Sequence, residues 1–157
     1  MIDTVAAVGR GENIFAIADQ PLAPDDEWLD RFDANRADLD AAWETGAALD
    51  QPTLVPWASD SGAVALVNYV NEVTVHTWDL ATATGQHPFW NPSVLEMAAP
   101  GNGFALPAEN RAALFAEFTK HLPPEYSNVP DPFLDAVPVP DDAPLIDRIV
   151  GWSGRRP

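Results

Sequence analysis

The sequence predicts an all-α chain: a helical bundle with one long crossover connection and a proline-rich segment toward its C-terminal end. Three observations carry this. Apolar residues recur at helical spacing from Trp28 to Trp43. Ala63 to Thr84 is a long stretch with apolar residues on every side, closed by Gly85. Prolines mark the starts and stops of the remaining segments. A length of 157 residues fits one compact domain with little room for a second, so a single domain over 1–157 is expected.

Taken in order, Met1 to Ala18 reads as helix from almost its first residue, with Asp3 able to cap it and Val5, Val8, Phe15 and Ile17 apolar. Gly9 and Gly11 lower its propensity and suggest close packing against a neighbour. After a loop with two prolines, Asp25 or Asp26 is expected to cap an amphipathic helix running to Leu49. Its apolar face is Trp28, Leu29, Phe32, Leu39, Ala42 and Trp43. Gln51 to Ser61 is a connector in which Thr53 to Val55 can be extended. Ala63 to Thr84 is expected at the centre of the bundle, buried all round.

Further along, Pro92 to Ala99 reads as one or two helical turns and Gly101 to Gly103 as a turn. Pro107 opens a helix that Pro123 and Pro124 stop near Leu122. Tyr126 to Pro140 is proline-rich and expected to be ordered by packing alone. Asp141 and Asp142 are expected to cap a short last helix, Pro144 to Trp152.

Composition narrows the function classes. Hydrophobic residues make up 46% of the chain, enough for an ordinary core. The formal net charge of −16 repels phosphates and anionic lipid headgroups, which argues against nucleic acid and membrane-surface partners. Cysteine is absent, so disulfides, thiolate ligands and a cysteine nucleophile are excluded, and any thiol chemistry must come from a cofactor. With no leader pattern and no apolar run of membrane-spanning length, the cytoplasm is the expected compartment.

Glu72 and His76 are the candidate metal ligands. Residues i and i+4 share one helix face, one turn apart, where a carboxylate oxygen and an imidazole nitrogen can converge on one ion. Val70, Val73 and Val75 suggest that Glu72 is buried and in need of a partner. The same pair could instead hydrogen-bond to each other or face solvent. Asp79 could orient the imidazole, though a local ion pair is the favoured role. Trp78 reads as core, His121 as a helix C-terminal cation, and His87 as solvated. Arg148, Arg155 and Arg156 are expected to pair with acids. No nucleophile elbow, phosphate-cradling loop or basic-aromatic stripe is present, and neither catalytic nor cofactor-binding residues can be named.

Three segments resemble a known family. Asn71 to Gln86, NEVTVHTWDLATATGQ, is similar to the signature E-x-x-x-H-x-W-D-L-A-x-A-T-G of the mycothiol-dependent maleylpyruvate isomerase, or DinB-like, metal-binding superfamily. Val137 to Pro157, VPVPDDAPLIDRIVGWSGRRP, resembles the closing segment of its actinobacterial members. Asp3 to Ala16 is a weaker match to the helix carrying the family's D-L-x-x-H pattern. Together they span nearly the whole chain. The resemblance implies a four-helix bundle with one divalent metal, usually zinc, and a low-molecular-weight thiol such as mycothiol as co-substrate. Glu72 and His76 match two ligands; the third, a histidine, falls on Ala7. The family's opening helix has no counterpart, so the resemblance implies a chain that begins one helix late.

The expected function is therefore a metal-dependent, mycothiol-using transferase or isomerase with an incomplete metal site and an unassigned organic substrate. The alternative is a non-catalytic bundle that binds a small ligand or forms a homodimer, covering an apolar stripe that includes Val5, Val8 and Phe15. A third reading is a fragment of marginal stability with no function of its own.

Overall fold

The structure, a computed structural model, describes residues 2–14, 23–55, 58–99, 120 and 135–157, with backbone only at 54, 55 and 58–60. It is predominantly helical, as expected of the all-α class. Among the described residues the order is α1 (Ile2–Gly9), α2 (Trp28–Trp43), α3 (Ala47–Asp50), β1 (Pro52–Val55), β2 (Ala58–Ser61), α4 (Gly62–Thr84), α5 (Pro92–Ala98) and α6 (Leu145–Trp152). None of these helices is long and apolar enough to cross a membrane. Contacts divide the chain into two compact units, Met1–Leu66 and Val67–Pro157, so α4 begins in the first and continues in the second.

In the first unit α1 packs on α2. Val5, Ala6, Ala7 and Val8 are buried, and the Trp43 indole N–H donates to the Val5 carbonyl at 3.0 Å. Gly9 permits this approach: a Cβ there would lie 2.6 Å from the Trp43 ring nitrogen. The close packing expected of this glycine is thus against a tryptophan. Helix α1 ends at Gly9, well short of Ala18; residues 15–22, with Phe15 and Ile17, lie outside the described set.

Helix α2 departs from expectation in three ways. It starts at Trp28 after Glu27, and no side chain caps it, because Asp25 and Asp26 sit in the preceding turn. It stops at Trp43, where Gly46 (φ +64°) breaks the chain before α3. Its apolar face is only loosely covered: no residue of α2 is buried, and Trp28, Leu29 and Phe32 are 50%, 79% and 49% exposed. The connector holds a full antiparallel hairpin, Pro52 opposite Ser61 through Val55 opposite Ala58, where only Thr53 to Val55 was expected to be extended.

In the second unit Val75 of α4, Leu95 and Ala98 of α5, and Ile146, Ile149 and Val150 of α6 form one buried cluster. Trp78 and Trp90 pack against it partly buried, which places Trp78 in the expected core role. Complete burial of Ile149 and Val150 contributes about 1.5–3 kcal/mol each. Helix α5 begins as its sequence directs: the Asn91 side chain accepts from Ser93 N–H at 3.0 Å and Pro92 occupies the first turn. Helix α6 starts at Leu145 after Pro144, without a side-chain cap, because Asp141 and Asp142 lie too far before its first turn. The described part of the proline-rich stretch is irregular and tied to α6 by Val137 N–H on the Gly151 carbonyl at 2.8 Å. The expected turn at Gly101 to Gly103 and nearly all of the helix from Pro107 lie outside the described residues.

Helix α4 is long, as predicted, and ends at Thr84, just before Gly85. It is not buried all round: Val73 and Leu80 are 48% and 64% exposed. One flank of this helix is open to solvent, and the candidate residues lie there.

Candidate functional site

Helical geometry puts Asn68, Glu72 and His76 in one stripe of α4, one turn apart, with Asp79 a further turn on. The His76 imidazole stands between two carboxylates. Its Nε2 is 3.6 Å from Glu72 Oε2, and its Nδ1 is 3.1 Å from Asp79 Oδ2. The second contact is a hydrogen bond, with Nδ1–H the donor to the carboxylate; the first is too long to be one.

The side chains are more open than the sequence suggested, Glu72 at 34% and His76 at 52% exposure. Of Val70, Val73 and Val75, only Val75 is spaced three or four residues from Glu72, and it lies in the buried cluster while the Glu72 side chain stays partly open. Buried on the stripe instead is Asn68, whose amide nitrogen and oxygen both lack a hydrogen-bond partner among the described residues. Tyr69, also buried, has its hydroxyl pKa pushed up to about 12 by desolvation and then by the negative charge of Glu72.

Asp79 is fixed from the other end of the second unit. Arg155 donates Nε–H to Oδ1 at 3.1 Å and Nη2–H to Oδ2 at 2.9 Å, a bidentate fork, and Nη1–H to the Ser153 carbonyl at 2.8 Å. Hydrogen bonding to Arg155 is the largest cause holding the Asp79 carboxyl below its ordinary value; the His76 contact adds to it, and partial burial opposes both. The Asp79 carboxylate takes the imidazole-orienting role given as its alternative, and its ion pair, expected to be local, is instead this long-range contact, in which Arg155 neutralises an acid as expected. Its position in the site could not be read from sequence, since 76 residues separate the partners.

Whether these groups suit a divalent ion can be tested on spacing. Two donors on one tetrahedral ion at about 2.0–2.2 Å lie about 3.3–3.6 Å apart. The Glu72 oxygen and His76 nitrogen meet that requirement, and a carboxylate on the opposite ring nitrogen is the usual support of a ligand histidine. Glu72 and His76 therefore fit as a pair of ligands. They do not complete a site: no group of three histidine or carboxylate side chains among the described residues could hold an ion. Ala7, where the resemblance puts the third ligand, is a buried hydrocarbon side chain on α1. His87 is exposed, as expected, and His121 lies outside the described residues.

Two further features were not foreseen. In the first unit Arg10 bridges Glu12 and Asp38, each at 2.7 Å, beside a cleft of about 450 Å3 lined by Asp3, Ala7, Arg31 and Asn35. In the second unit Trp78, Thr82, Gly85, His87 and Trp90 line a cleft of about 300 Å3. The Arg10 bridge spans 28 residues to Asp38 and has no local sequence signal, whereas Gly85 and Trp78 were visible but read only as cap and core.

No family model, no curated protein and no solved structure matches the chain.

Proposed function

We propose that this chain carries part of a divalent-metal site, with Glu72 and His76 as ligands, in a transferase or isomerase of the DinB-like kind that uses mycothiol as co-substrate. The supporting observation is the placement of His76, with Nδ1 on Asp79 and Nε2 at ligand spacing from the Glu72 carboxylate. With Nδ1–H given to Asp79, the Nε2 lone pair faces an anionic oxygen, and a cation between them converts that repulsion into attraction. Glu72 contributes charge, His76 a neutral nitrogen, and Asp79 keeps the ring oriented. When bound, a zinc ion would supply Lewis acidity toward a thiol or an organic carbonyl. The thiol must come from a second molecule, because the chain has no cysteine. The remaining ligand would come from outside the described residues, from a second copy, or from solvent.

The test is elemental mass spectrometry on the chain purified without a metal-binding tag. Close to one divalent ion per chain, lost in His76→Ala, is the expected result. A metal-free chain, or one whose metal survives His76→Ala, would overturn this assignment.

The exposed apolar residues of α2, Trp28, Leu29 and Phe32, favour a second reading as a non-catalytic bundle that forms a homodimer or takes a small apolar ligand. Val5 and Val8, expected on such a face, are instead buried within the first unit.

A further inference from the structure

We propose that Arg155 is a positioning residue: it locks the Asp79 carboxylate and thereby holds the His76 imidazole with its proton on Nδ1 and its Nε2 lone pair turned toward Glu72. The use of that lone pair rests on the metal site proposed above; the lock rests on geometry alone.

The backbone places Arg155 before its side chain does anything. Helix α6 ends in a turn at Gly154, whose φ of +86° strongly favours glycine. Gly154 N–H bonds to the Gly151 carbonyl at 3.0 Å and Arg155 N–H to the Val150 carbonyl at 2.9 Å. Helix α6 is in turn held by Ile149 and Val150, in the same buried cluster as Val75, the residue before His76. One core therefore sets the distance between the helix that bears the imidazole and the turn that bears the guanidinium.

The side chain then uses all three of its nitrogens, two donating to Asp79 and one to the Ser153 carbonyl. A lysine could supply the charge but not two parallel bonds with a fixed plane. Without that plane, Asp79, 36% exposed, is free to turn into water. The imidazole would then have carboxylates one turn away on both sides and no fixed partner. Which ring nitrogen keeps its lone pair follows from the hydrogen bond donated by the other.

The test uses the full, metal-free chain labelled with 15N. Long-range proton–nitrogen correlation of the His76 ring, assigned with His76→Gln, is recorded at about pH 8, above the ordinary imidazole range. The wild-type ring should carry its proton on Nδ1. Arg155→Gln, with unchanged circular dichroism, should show a mixture of both tautomers, and Arg155→Lys a smaller shift. A zinc titration of the same proteins should show Kd rising about tenfold in Arg155→Gln, the low end for residues that orient a ligand. A wild-type proton on Nε2, or a folded Arg155→Gln variant with wild-type ring signals, would overturn the lock. Should Arg155→Gln fail to fold, the Arg155→Lys spectrum decides by the same criterion. A wild-type chain that binds no zinc but loses its tautomer preference in the variant supports the lock and overturns only the metal reading.

Discussion

At the scale of single residues, Asp79 accepts from His76 Nδ1–H and from two donors of Arg155. Its depressed folded-state pKa has a consequence for acid stability. The stabilising contribution is complete above the unfolded-state value of about 3.9 and is lost as pH falls through the lower folded-state value. Denaturant stability of the wild type and Asp79→Asn should therefore differ near neutral pH and converge as the pH falls below the ordinary carboxylate range. Parallel curves over the whole range would contradict this. With a third of the side chain exposed, the gap should be at most about 1 kcal/mol. The Glu72 and His76 pair was legible in the sequence because one helical turn is a fixed distance. The contact of Asp79 with Arg155 was not, because it depends on how α6 packs rather than on any local pattern.

At the scale of elements, α5 starts and α6 buries its face as their sequences direct, because proline fixes a starting dihedral and apolar spacing fixes the inward face. The caps expected from Asp25, Asp26, Asp141 and Asp142 did not form; a cap requires the acid at one position, and the first turns begin beyond it. The burial expected of α2 failed for another reason. Helical spacing tells which residues share a face, and nothing about whether a neighbour covers it. The two helices should accordingly respond differently to substitution. Ile149→Ala should cost about 2–5 kcal/mol in urea denaturation, from a fully buried side chain in the core of the second unit. Leu29→Ser should change stability by no more than about 0.5 kcal/mol in a chain that stays monomeric. A large loss in Leu29→Ser would mean that the face is covered by a partner, and would support the dimeric reading.

At the scale of the whole molecule, the excess of 24 acidic over 8 basic residues makes self-repulsion a general term in stability. Raising monovalent salt from about 0.01 to about 0.15 M shortens the screening length from about 30 to about 8 Å. In the presence of a chelator, that change should raise Tm by about 2–4 °C, equivalent to about 1 kcal/mol. An unchanged or lower Tm would show that local ion pairs outweigh the general repulsion. The same field enriches cations at the surface, and Glu72 and His76 stand on a solvent-open flank of α4. An open pair of one oxygen and one nitrogen donor, in a chain without sulfur from cysteine, offers little with which to select by size or softness. Its preferences would follow the general affinity series, in which copper outranks zinc. Under the proposed function, the ion found on this protein would be a record of the metal supply around it.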